Sequence, residues 1–320
     1  MKATLTKDYF SDPEWIYEPK LDGIRCLAFK RGSEVRLLSR NKLDLTGSYP
    51  SVVDVLARQK HDVILDGELA AVAGGRTSFS LLQQARRQEV PVFYFVFDIV
   101  FDDDRDTRKL PLLERKVILE KALKWRPPLH LVEHVETEGE AYLKAACKNG
   151  LEGVIAKRAT SVYSGARSKD WLKFKCSNEQ EFVVGGFTDP QGARSGFGAL
   201  LVGYHERGKL RYAGKVGTGY NEGLLTALRA KLDRLEIDEP PFVDYGTARR
   251  KGVHWVKPKL VAQVGFAEWT TDGHLRHPRF IGLRTDKKAS EVVRERPRSV
   301  AAGAKRKVRN QPRSRESRKS

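Results

Sequence analysis

Apolar and polar residues alternate along the first half of the chain in patterns that predict both strands and helices. The segments EWIYE, IRCLAFK and EVRLLSR, between residues 14 and 40, alternate with period two, which predicts two or three strands. VFYFVFDIVF at 92–101 is almost free of polar residues, as is typical of a buried central strand. Apolar residues recur at helical spacing in four segments: 50–59, 78–88, 111–124 and 138–149. These elements predict one α+β domain over residues 1–178.

The pattern changes after the polar segment CSNEQ at 176–180, which is a candidate hinge. Five short apolar segments with Gly-rich turns follow it, and one helical segment at 222–235 interrupts them. Five strands and one helix in roughly 110 residues predict a small barrel such as an OB-fold. We assign this second domain to residues 179–295.

Charge points to a polyanionic partner. The chain has 320 residues and a formal net charge of +18. Residues 296–320 hold ten Lys or Arg and one Glu and have no aromatic residue, which predicts a basic, disordered tail. A tail that is only solvated is the plain alternative. Nucleic acid is the better interpretation, because the rest of the chain is basic as well.

Several classes of protein are excluded by composition. The sequence has no run of about 18 apolar residues, so we expect no membrane span, and its N-terminus lacks the apolar segment of a secretory signal. Cys26, Cys147 and Cys176 are widely spaced and form no C-x-x-C, which argues against a disulfide framework and against a zinc site. We therefore expect a protein of a reducing cytoplasm.

Charged side chains recur in or beside strongly apolar strands of the first domain. One such residue usually lies on a solvated strand face, because burying an unpaired charge is costly. Both signs recur here, which indicates a shared cleft in which cations suit phosphates and carboxylates suit a ribose hydroxyl or Mg²⁺. The residues concerned are Lys20, Glu68, Glu152, Lys173 and Lys175.

Other motifs in the sequence say less about function. No G-x-x-x-x-G-K-[ST] motif is present, which excludes a P-loop, and AGKVGTG at 213–219 is typical of a hairpin turn. FDDDRD at 101–106 is interpreted as an Asp-rich turn rather than a metal cluster. His130 and His134 follow two prolines in a segment that predicts a strand, so a metal pair is not expected there.

Six blocks in a fixed order give the sequence a family resemblance. They are KLDGIR (20–25), SRN (39–41), DGE (66–68), FD (97–98), EGVIAK (152–157) and WLKFK (171–175). The set resembles the nucleotidyltransferase motifs of covalent polynucleotide ligases. Two later blocks, GFGALLVGYHERGKLRYAGKVGTG (196–219) and LRHPRFIGLRTDKKASEV (275–292), look like those of the ATP-dependent ligase domain of bacterial ligase D. The resemblance implies an α+β adenylation domain with antiparallel sheets, followed by an OB-fold.

The resemblance also implies a role for each matching residue. Lys20 would attack the α-phosphate of ATP and hold AMP as a phosphoramidate. Its amine must be neutral to attack, so a neighbouring Mg²⁺ and cations such as Lys175 would depress its pKa. The other implied roles are adenine contact for Glu18 and Phe97, ribose contact for Glu68, metal binding for Glu68 and Glu152, α-phosphate contact for Lys173 and Lys175, and ribose or nick 5′-phosphate contact for Arg25 and Arg40. Arg284, Asp286 and Lys287 would orient the pyrophosphate leaving group.

These motifs imply an ATP-dependent DNA ligase that uses Mg²⁺ or Mn²⁺ and seals nicks in duplex DNA, as a monomer, in repair or end joining. Only 19 residues precede Lys20, which leaves no room for a nicotinamide-reading domain and favours ATP. A Ku-type end-binding protein is a candidate partner. Two alternatives stay open: an RNA ligase or an mRNA capping guanylyltransferase, and a non-catalytic nucleic-acid-binding protein.

Overall fold

Five α-helices form within the described residues, each within a few residues of its predicted bounds. The computed structural model describes residues 1–88, 90–192, 194–245 and 251–297, so the predicted tail lies outside the described residues from 298 onward. Pro50 begins the first helix, where its missing N–H costs no hydrogen bond. Asn221 caps the fifth by accepting from the Leu224 N–H at 2.8 Å. The helices are α1 (Pro50–Ala57), α2 (Phe79–Gln88), α3 (Leu112–Ala122), α4 (Gly139–Lys148) and α5 (Glu222–Asp233).

The first half of the chain builds two mainly antiparallel sheets. The strands are β1 (Lys2–Leu5), β2 (Trp15–Pro19), β3 (Ile24–Arg31), β4 (Glu34–Ser39), β5 (Val63–Ala73), β6 (Arg76–Ser78), β7 (Val92–Asp102), β8 (Arg105–Asp106), β9 (Leu129–Leu131), β10 (Val135–Glu136), β11 (Gly153–Arg158) and β12 (Arg167–Lys175). One sheet has the order β1-β12-β11-β2-β10. The other has the order β4-β3-β5-β7-β8, with β6 on β5 and β9 on β7. The predicted antiparallel character is confirmed, with parallel pairing only between β1 and β12 and between β7 and β9 in these two sheets.

Strand β7 departs from its prediction. We expected it to be buried on both faces, but between Phe93 and Phe97 only the alternate residues Tyr94 and Val96 are fully buried. Phe93, Phe95 and Phe97 lie half-buried on the other face. Phe93 and Phe95 pack against His130, with ring centroids 5.1 and 5.2 Å away. The aromatic run therefore covers a core on one face and a partly open surface on the other.

The second half of the chain forms a six-stranded sheet of its own. The eight strands of this half are β13 (Asn178–Thr188), β14 (Leu200–Glu206), β15 (Lys209–Val216), β16 (Glu236–Ile237), β17 (Val253–Phe266), β18 (Glu268–Trp269), β19 (Leu275–Arg276) and β20 (Arg279–Arg284). The order is β15-β14-β13-β17-β16, with β20 on β17, and β18 and β19 form a separate pair. Two of the five apolar segments predicted as strands, GVHWVK (252–257) and LVAQVGFAEWT (260–270), are not separate: the first and most of the second form the single strand β17, and the end of the second contains β18. Strand β20 was predicted only as part of a motif.

Each half has its own hydrophobic core. In the first half, α1 and α3 supply Leu56 and Leu119 to the core of the seven-stranded sheet, and α4 packs on the five-stranded sheet. In the second half, α5 packs Leu225, Leu228 and Leu232 into the core of the six-stranded sheet. Strand β12 ends at Lys175 and β13 begins at Asn178, so two residues join the two halves.

One cysteine prediction is wrong. Cys147, near the end of α4, and Cys176, in the link between the halves, form a disulfide, while Cys26 is free and buried. The two residues are 29 positions apart, and only the packing of α4 beside the end of β12 brings them together. Among the described residues, no helix is long and apolar enough to cross a membrane.

Candidate active site

A cavity of about 200 Å³ receives side chains from both halves of the chain. Every residue that the sequence analysis assigned to the site lines it, although these residues span positions 18 to 287. They are Glu18, Lys20, Arg25, Arg40, Glu68, Phe97, Glu152, Lys173, Lys175, Arg284, Asp286 and Lys287.

Lys20 lies in the corner between β2 and β3. Its backbone N–H donates to the Gly153 carbonyl at 2.9 Å, which ties the corner to β11. Gly23 is needed because a Cβ there would lie 2.2 Å from the Leu69 carbonyl oxygen. The carboxylate of Asp22 accepts from the N–H of Phe79, the first residue of α2, at 3.0 Å. The KLDG segment is therefore a rigid corner, fixed on three sides, rather than a solvated turn.

The ammonium of Lys20 forms an ion pair with the Glu152 carboxylate, and both side chains are largely buried. Burial acts to lower the pKa of Lys20, but the charge and hydrogen bond of Glu152, together with other carboxylates, raise it above its ordinary value. Asp22 and Glu68 act in the same direction. The expectation that neighbouring cations depress this pKa is not met here, because the largest charge effects on Lys20 come from carboxylates.

Glu18 is buried beside the cavity and carries two lysine partners. Its carboxylate oxygens lie 2.5 Å from Lys116 Nζ and 2.6 Å from Lys157 Nζ. Burial acts to raise the pKa of Glu18, but the two lysines hold it below its ordinary value. Lys157 Nζ also lies 4.3 Å from the centre of the Phe97 ring and 4.0 Å from the Trp171 ring. The cavity wall at Phe97 is thus an aromatic pair backed by a buried ammonium.

Arg25 is held by a carboxylate on the neighbouring strand. Its guanidinium pairs with both oxygens of Asp66, with Nε 2.9 Å from Oδ1, and Tyr163 donates its hydroxyl to the same carboxylate at 2.7 Å. The guanidinium carbon lies 5.3 Å from the Phe97 ring centre. Arg25 is therefore fixed in orientation, with the cavity on one side and Asp66 on the other.

Glu68 and Arg40 have fewer partners. Burial raises the pKa of Glu68 to about 8, against the attraction of Arg284 and Lys20. Arg40 Nε is buried and has no hydrogen-bond partner among the described residues. A buried polar atom of this kind ordinarily has a partner, so Arg40 presents an unused donor at the cavity.

The carboxylates of Asp22, Glu152 and Glu179 line the cavity that contains Lys20. Burial and the charge of Glu152 raise the pKa of Asp22. The same two causes, in the same order, raise the pKa of Glu179. The charge of Glu152 therefore acts on both Asp22 and Glu179. A group of carboxylate oxygens under mutual repulsion is suited to a hard divalent cation.

Lys173 and Lys175 extend from β12 into the cavity. Lys173 Nζ lies 2.7 Å and Lys175 Nζ 3.6 Å from the carboxylate of Glu295. Lys175 also donates to the Glu179 backbone carbonyl at 2.5 Å. Burial lowers the pKa of Lys173 to about 8, although Glu295 opposes the shift. Two cations of the first half therefore meet an anion from the end of the second half.

Arg284 and Asp286 bring the second half to the same cavity. They form a two-point ion pair, with Nε and Nη2 each 2.8 Å from a carboxylate oxygen. The Arg284 guanidinium carbon lies 4.2 Å from the ring centre of Phe79 in the first half. The Asp286 carbonyl accepts from the Asn41 side chain at 2.8 Å. These contacts place the second half over the cavity mouth.

Lys287 stays within the second half. Its ammonium pairs with the carboxylate of Glu181 on β13, and both side chains are largely buried. Burial lowers the pKa of Lys287 against the attraction of Glu181. The ammonium is therefore held at the cavity wall rather than drawn to a residue of the first half.

Two family models match the chain in the order expected from its motifs. The ATP dependent DNA ligase domain matches residues 1–175, and the ATP dependent DNA ligase C terminal region matches residues 193–287. The chain belongs to the ATP-dependent DNA ligase family. The nucleotide of this family is ATP and its substrate is DNA, as the motifs implied.

Curated relatives of this ligase chain are larger proteins. It is 40% identical over 312 residues to the multifunctional non-homologous end joining protein LigD of Pseudomonas aeruginosa, which covers 92% of this chain and 37% of the relative. It is 40% identical over 289 residues to the LigD DNA repair protein of Mycobacterium tuberculosis H37Rv, covering 88% of this chain and 38% of the relative. The ligase chain therefore spans less than two fifths of these relatives.

A solved structure supports the same family. The mycobacterial DNA ligase D complexed with ATP and MES is 37% identical, with a TM-score of 0.65, and the match covers 92% of this ligase chain and 98% of that one. The fold of the ligase chain is thus the nucleotidyltransferase ligase fold with antiparallel sheets.

Sequence reasoning gave no role to several residues that the ligase structure brings to the cavity. Lys157 lies within the EGVIAK block and Asp22 within KLDGIR, so their motifs were the available signal. Glu181 sits in an apolar strand, which was a weaker signal of the same kind. Glu295 follows Lys287 by eight positions in the charged stretch RERPR, where exposed charges are ordinary, so nothing in the sequence marked it.

Proposed function

We propose that this chain seals 5′-phosphate/3′-hydroxyl nicks in duplex DNA through an AMP covalently held on Lys20 and then an adenylated DNA end. The observation that carries the proposal is the position of Lys20. It lies in a rigid corner of the first half, in a cavity that the cations of both halves share. A fixed nucleophile with cations around the reacting phosphorus is what phosphoryl-group transfer needs.

The first step forms one bond and breaks one. Lys20 Nζ attacks the α-phosphorus of ATP, the bond from that phosphorus to the bridging oxygen breaks, and pyrophosphate leaves. Lys173 and Lys175 would stabilise charge on the α-phosphate. Arg284 and Lys287 would face the leaving pyrophosphate from the second half. Lys20 must lose a proton before it attacks, and the paired carboxylate of Glu152 is the group in contact that would accept it, even though the ion pair favours the protonated amine in the absence of nucleotide.

The carboxylates around Lys20 fit a divalent cation. Glu68 and Glu152 are the proposed ligands, and Asp22 and Glu179 line the same cavity and add carboxylate oxygens that suit a hard cation. Mg²⁺ or Mn²⁺ would neutralise phosphate charge when bound. In the wall of the site, Phe97 would stack on the adenine ring and Glu18 would contact the adenine edge. Glu68 would accept a hydrogen bond from the ribose hydroxyl. Arg25 and Arg40 would contact the ribose or the 5′-phosphate of the nick.

The second half is proposed to be an OB-fold that moves. Pyrophosphate leaves opposite the attacking amine, so a cation must reach it from outside the AMP pocket. DNA must later approach the same face, so Arg284, Asp286 and Lys287 must withdraw. The link at Cys176 and Ser177 lies within the predicted hinge at 176–180. The Cys176 N–H donates to the Glu152 carbonyl at 3.0 Å, so rotation would centre after Cys176.

The relatives support a proposal for the cellular setting. The LigD relatives are non-homologous end joining and DNA repair proteins, so we infer that this chain serves DNA end joining or repair in a bacterial cytoplasm. A Ku-type end-binding protein is the proposed partner, and the chain is proposed to act as a monomer.

The test is covalent labelling. Incubation with α-³²P-ATP and Mg²⁺ or Mn²⁺, followed by denaturing electrophoresis, should give an acid-labile label on the protein, and nicked duplex DNA should then discharge it. Label from α-³²P-GTP instead would indicate a capping guanylyltransferase, and sealing of nicked RNA alone would indicate an RNA ligase. Binding of DNA without any covalent label would leave a non-catalytic binding protein.

A further inference from the structure

The chain doubles back after the RTDK motif and pairs with the second half. The His205 N–H donates to the Val292 carbonyl at 2.7 Å, and His205 and Val293 form a parallel bridge. The Gln180 side chain then makes two contacts: its amide nitrogen donates to the Val293 carbonyl at 3.2 Å, and its oxygen accepts from the Glu295 N–H at 3.0 Å. The backbone at Glu295 is thus fixed to β13 and β14 and would travel with the second half.

The side chain of Glu295 crosses to the first half. One carboxylate oxygen lies 2.7 Å from Lys173 Nζ and the other 3.6 Å from Lys175 Nζ. The exposed fractions are small: 20% for Glu295, 15% for Lys173 and 11% for Lys175. Water screens this contact little, so the charges interact more strongly than a surface pair would. The lysines hold the pKa of Glu295 near 2, against the effect of burial.

The two lysines are the cations that the proposed function assigns to the α-phosphate. A carboxylate presents two anionic oxygens to a pair of ammonium groups, as the edge of a phosphate does. A phosphate and the Glu295 carboxylate would repel each other if both approached these lysines. The nucleotide and Glu295 therefore compete for one pair of cations.

We propose that Glu295 is a positioning residue that stands in for the α-phosphate on Lys173 and Lys175 and must be displaced when the nucleotide binds. This inference rests on the proposed function. It makes ATP affinity depend on an anion that the second half carries. It also couples the site to domain position, because repulsion between Glu295 and the α-phosphate of the bound AMP would favour withdrawal of the second half once pyrophosphate has left.

The experiment measures binding without chemistry. Calorimetric titration of wild type, Glu295→Gln and Glu295→Ala with α,β-methylene-ATP, which cannot transfer its AMP, gives nucleotide affinity. We expect Kd to fall on the order of tenfold in both variants, since a competing anion has been removed from a desolvated pair. Titration with adenosine, which has no phosphate, should give the same Kd in all three proteins. Glu291→Gln removes the same charge from an exposed position of the same segment and should change neither Kd.

Unchanged or weaker binding of α,β-methylene-ATP by both Glu295 variants would overturn the inference. A change of equal size for adenosine would also overturn it, because that result would mean that Glu295 shapes the pocket rather than competing with phosphate. The α-³²P-ATP label tests the proposed function separately. If the protein is labelled but the Glu295 variants bind the nucleotide as wild type does, only the proposed role of Glu295 is wrong. If no label forms, the proposed function is wrong, and the effect of Glu295 on nucleotide affinity can still be measured.

Discussion

The two halves of the molecule use charge differently. The first half has exposed ion pairs but also buries several among its own elements: Arg115 and Asp98 are both fully buried, and Lys20 pairs with Glu152 inside the cavity. In the second half, the buried pairs Arg284–Asp286 and Lys287–Glu181 line the cavity, and pairs away from it, such as His254 with Asp189, lie at the surface.

The difference has a mechanical consequence. Residues of the first half are fixed by several strands at once, so they stay in place whatever the second half does. The second half is joined to the first by a link of two residues. Its charged residues at the cavity touch the first half through a few contacts, such as those of the Asp286 carbonyl with Asn41 and of Arg284 with Phe79. In the proposed cycle these charges would leave together, and the hydrophobic cores of the two halves are separate clusters that this movement would not break. One region is therefore suited to hold the nucleophile, and the other to assist one step and withdraw.

The largest expected effect concerns Lys20, the proposed nucleophile of the first half. Lys20→Ala and Lys20→Arg should both reduce labelling by α-³²P-ATP to background, because alanine has no nucleophile and arginine stays protonated at accessible pH. Circular dichroism should show both variants folded. Residual acid-labile label on the Lys20→Ala protein would place the nucleophile elsewhere in the chain.

The next effect concerns stability in the same region. Arg115 binds both oxygens of Asp98 at 2.8 Å and donates to the carbonyls of Leu110 and Ser161. Arg115→Met should lower the free energy of unfolding by about 3–5 kcal/mol, because it leaves the Asp98 carboxylate buried and unpaired. Urea unfolding measures the change, and adding Asp98→Asn should restore part of it.

A surface pair supplies the control for Arg115. Arg158 pairs with Glu14 at 2.9 Å, where the side chains are 35% and 69% exposed. Arg158→Met should cost no more than about 1 kcal/mol. Equal losses for the two variants would show that burial does not distinguish the ion pairs of the first half.

Much of the fold and of the cavity could be predicted from the sequence, and the predictions that were wrong were wrong for physical reasons. Amphipathic spacing located the five helices, because each buries one face on a sheet. β17 was split in two because LysProLys at 257–259 is typical of a turn. In the structure these exposed residues lie where the pairing with β13 shifts register, and Pro258 is tolerated at such a bulge.

Contacts between distant segments were beyond sequence reasoning. The motifs located the residues of the cavity, because each block places a charge on an otherwise apolar strand. They did not show that Glu152 would raise the pKa of Lys20, that Glu18 would carry two lysines, or that Cys147 would meet Cys176. Each of these depends on which strands become neighbours, and periodicity does not determine that.

The third prediction tests whether the second half assists adenylation but not nick sealing. Lys287→Ala should slow adenylation of Lys20 by about 10²-fold, as removal of one stabilising donor does in other enzymes. The variant should seal a nick that already carries 5′-AMP at close to the normal rate, because pyrophosphate takes no part in that step. Single-turnover sealing of pre-adenylated DNA, measured beside ligation with ATP, separates the two steps.

Two further variants control for structure. Lys287→Ala leaves Glu181 without its partner, so Lys287→Ala with Glu181→Gln should keep the adenylation defect if the cation itself is needed. Lys288→Ala removes a neighbouring exposed cation and should leave both steps unchanged. Equal losses in adenylation and in sealing would mean that Lys287 supports the fold or the DNA contact, and the two halves would then not divide the steps as proposed.

The smallest expected effect concerns the surface of the second half. The His254 ring lies between two carboxylates, 2.7 Å from Glu236 and 2.8 Å from Asp189, and stacks on Phe187 with centroids 4.7 Å apart. Burial acts to lower the pKa of His254, but hydrogen bonds to Glu236 and Asp189 raise it above its ordinary value. The stabilisation from the charged ring is therefore fully present below the unfolded pKa of about 6.5 and is lost as pH rises through the folded pKa.

His254→Phe keeps a stacking ring and removes the titrating group. The free energy of unfolding of wild type should exceed that of His254→Phe by more at pH 5.5 than at pH 8.5, because the imidazolium is paired at the lower pH and absent at the higher one. Urea unfolding at the two pH values measures this, and subtracting the variant cancels most other titrating groups. In a background of Asp189→Asn and Glu236→Gln the pH dependence of the difference should shrink or reverse, since burial alone lowers the pKa. A difference that is the same at both pH values would show that His254 contributes by stacking on Phe187 and not by charge.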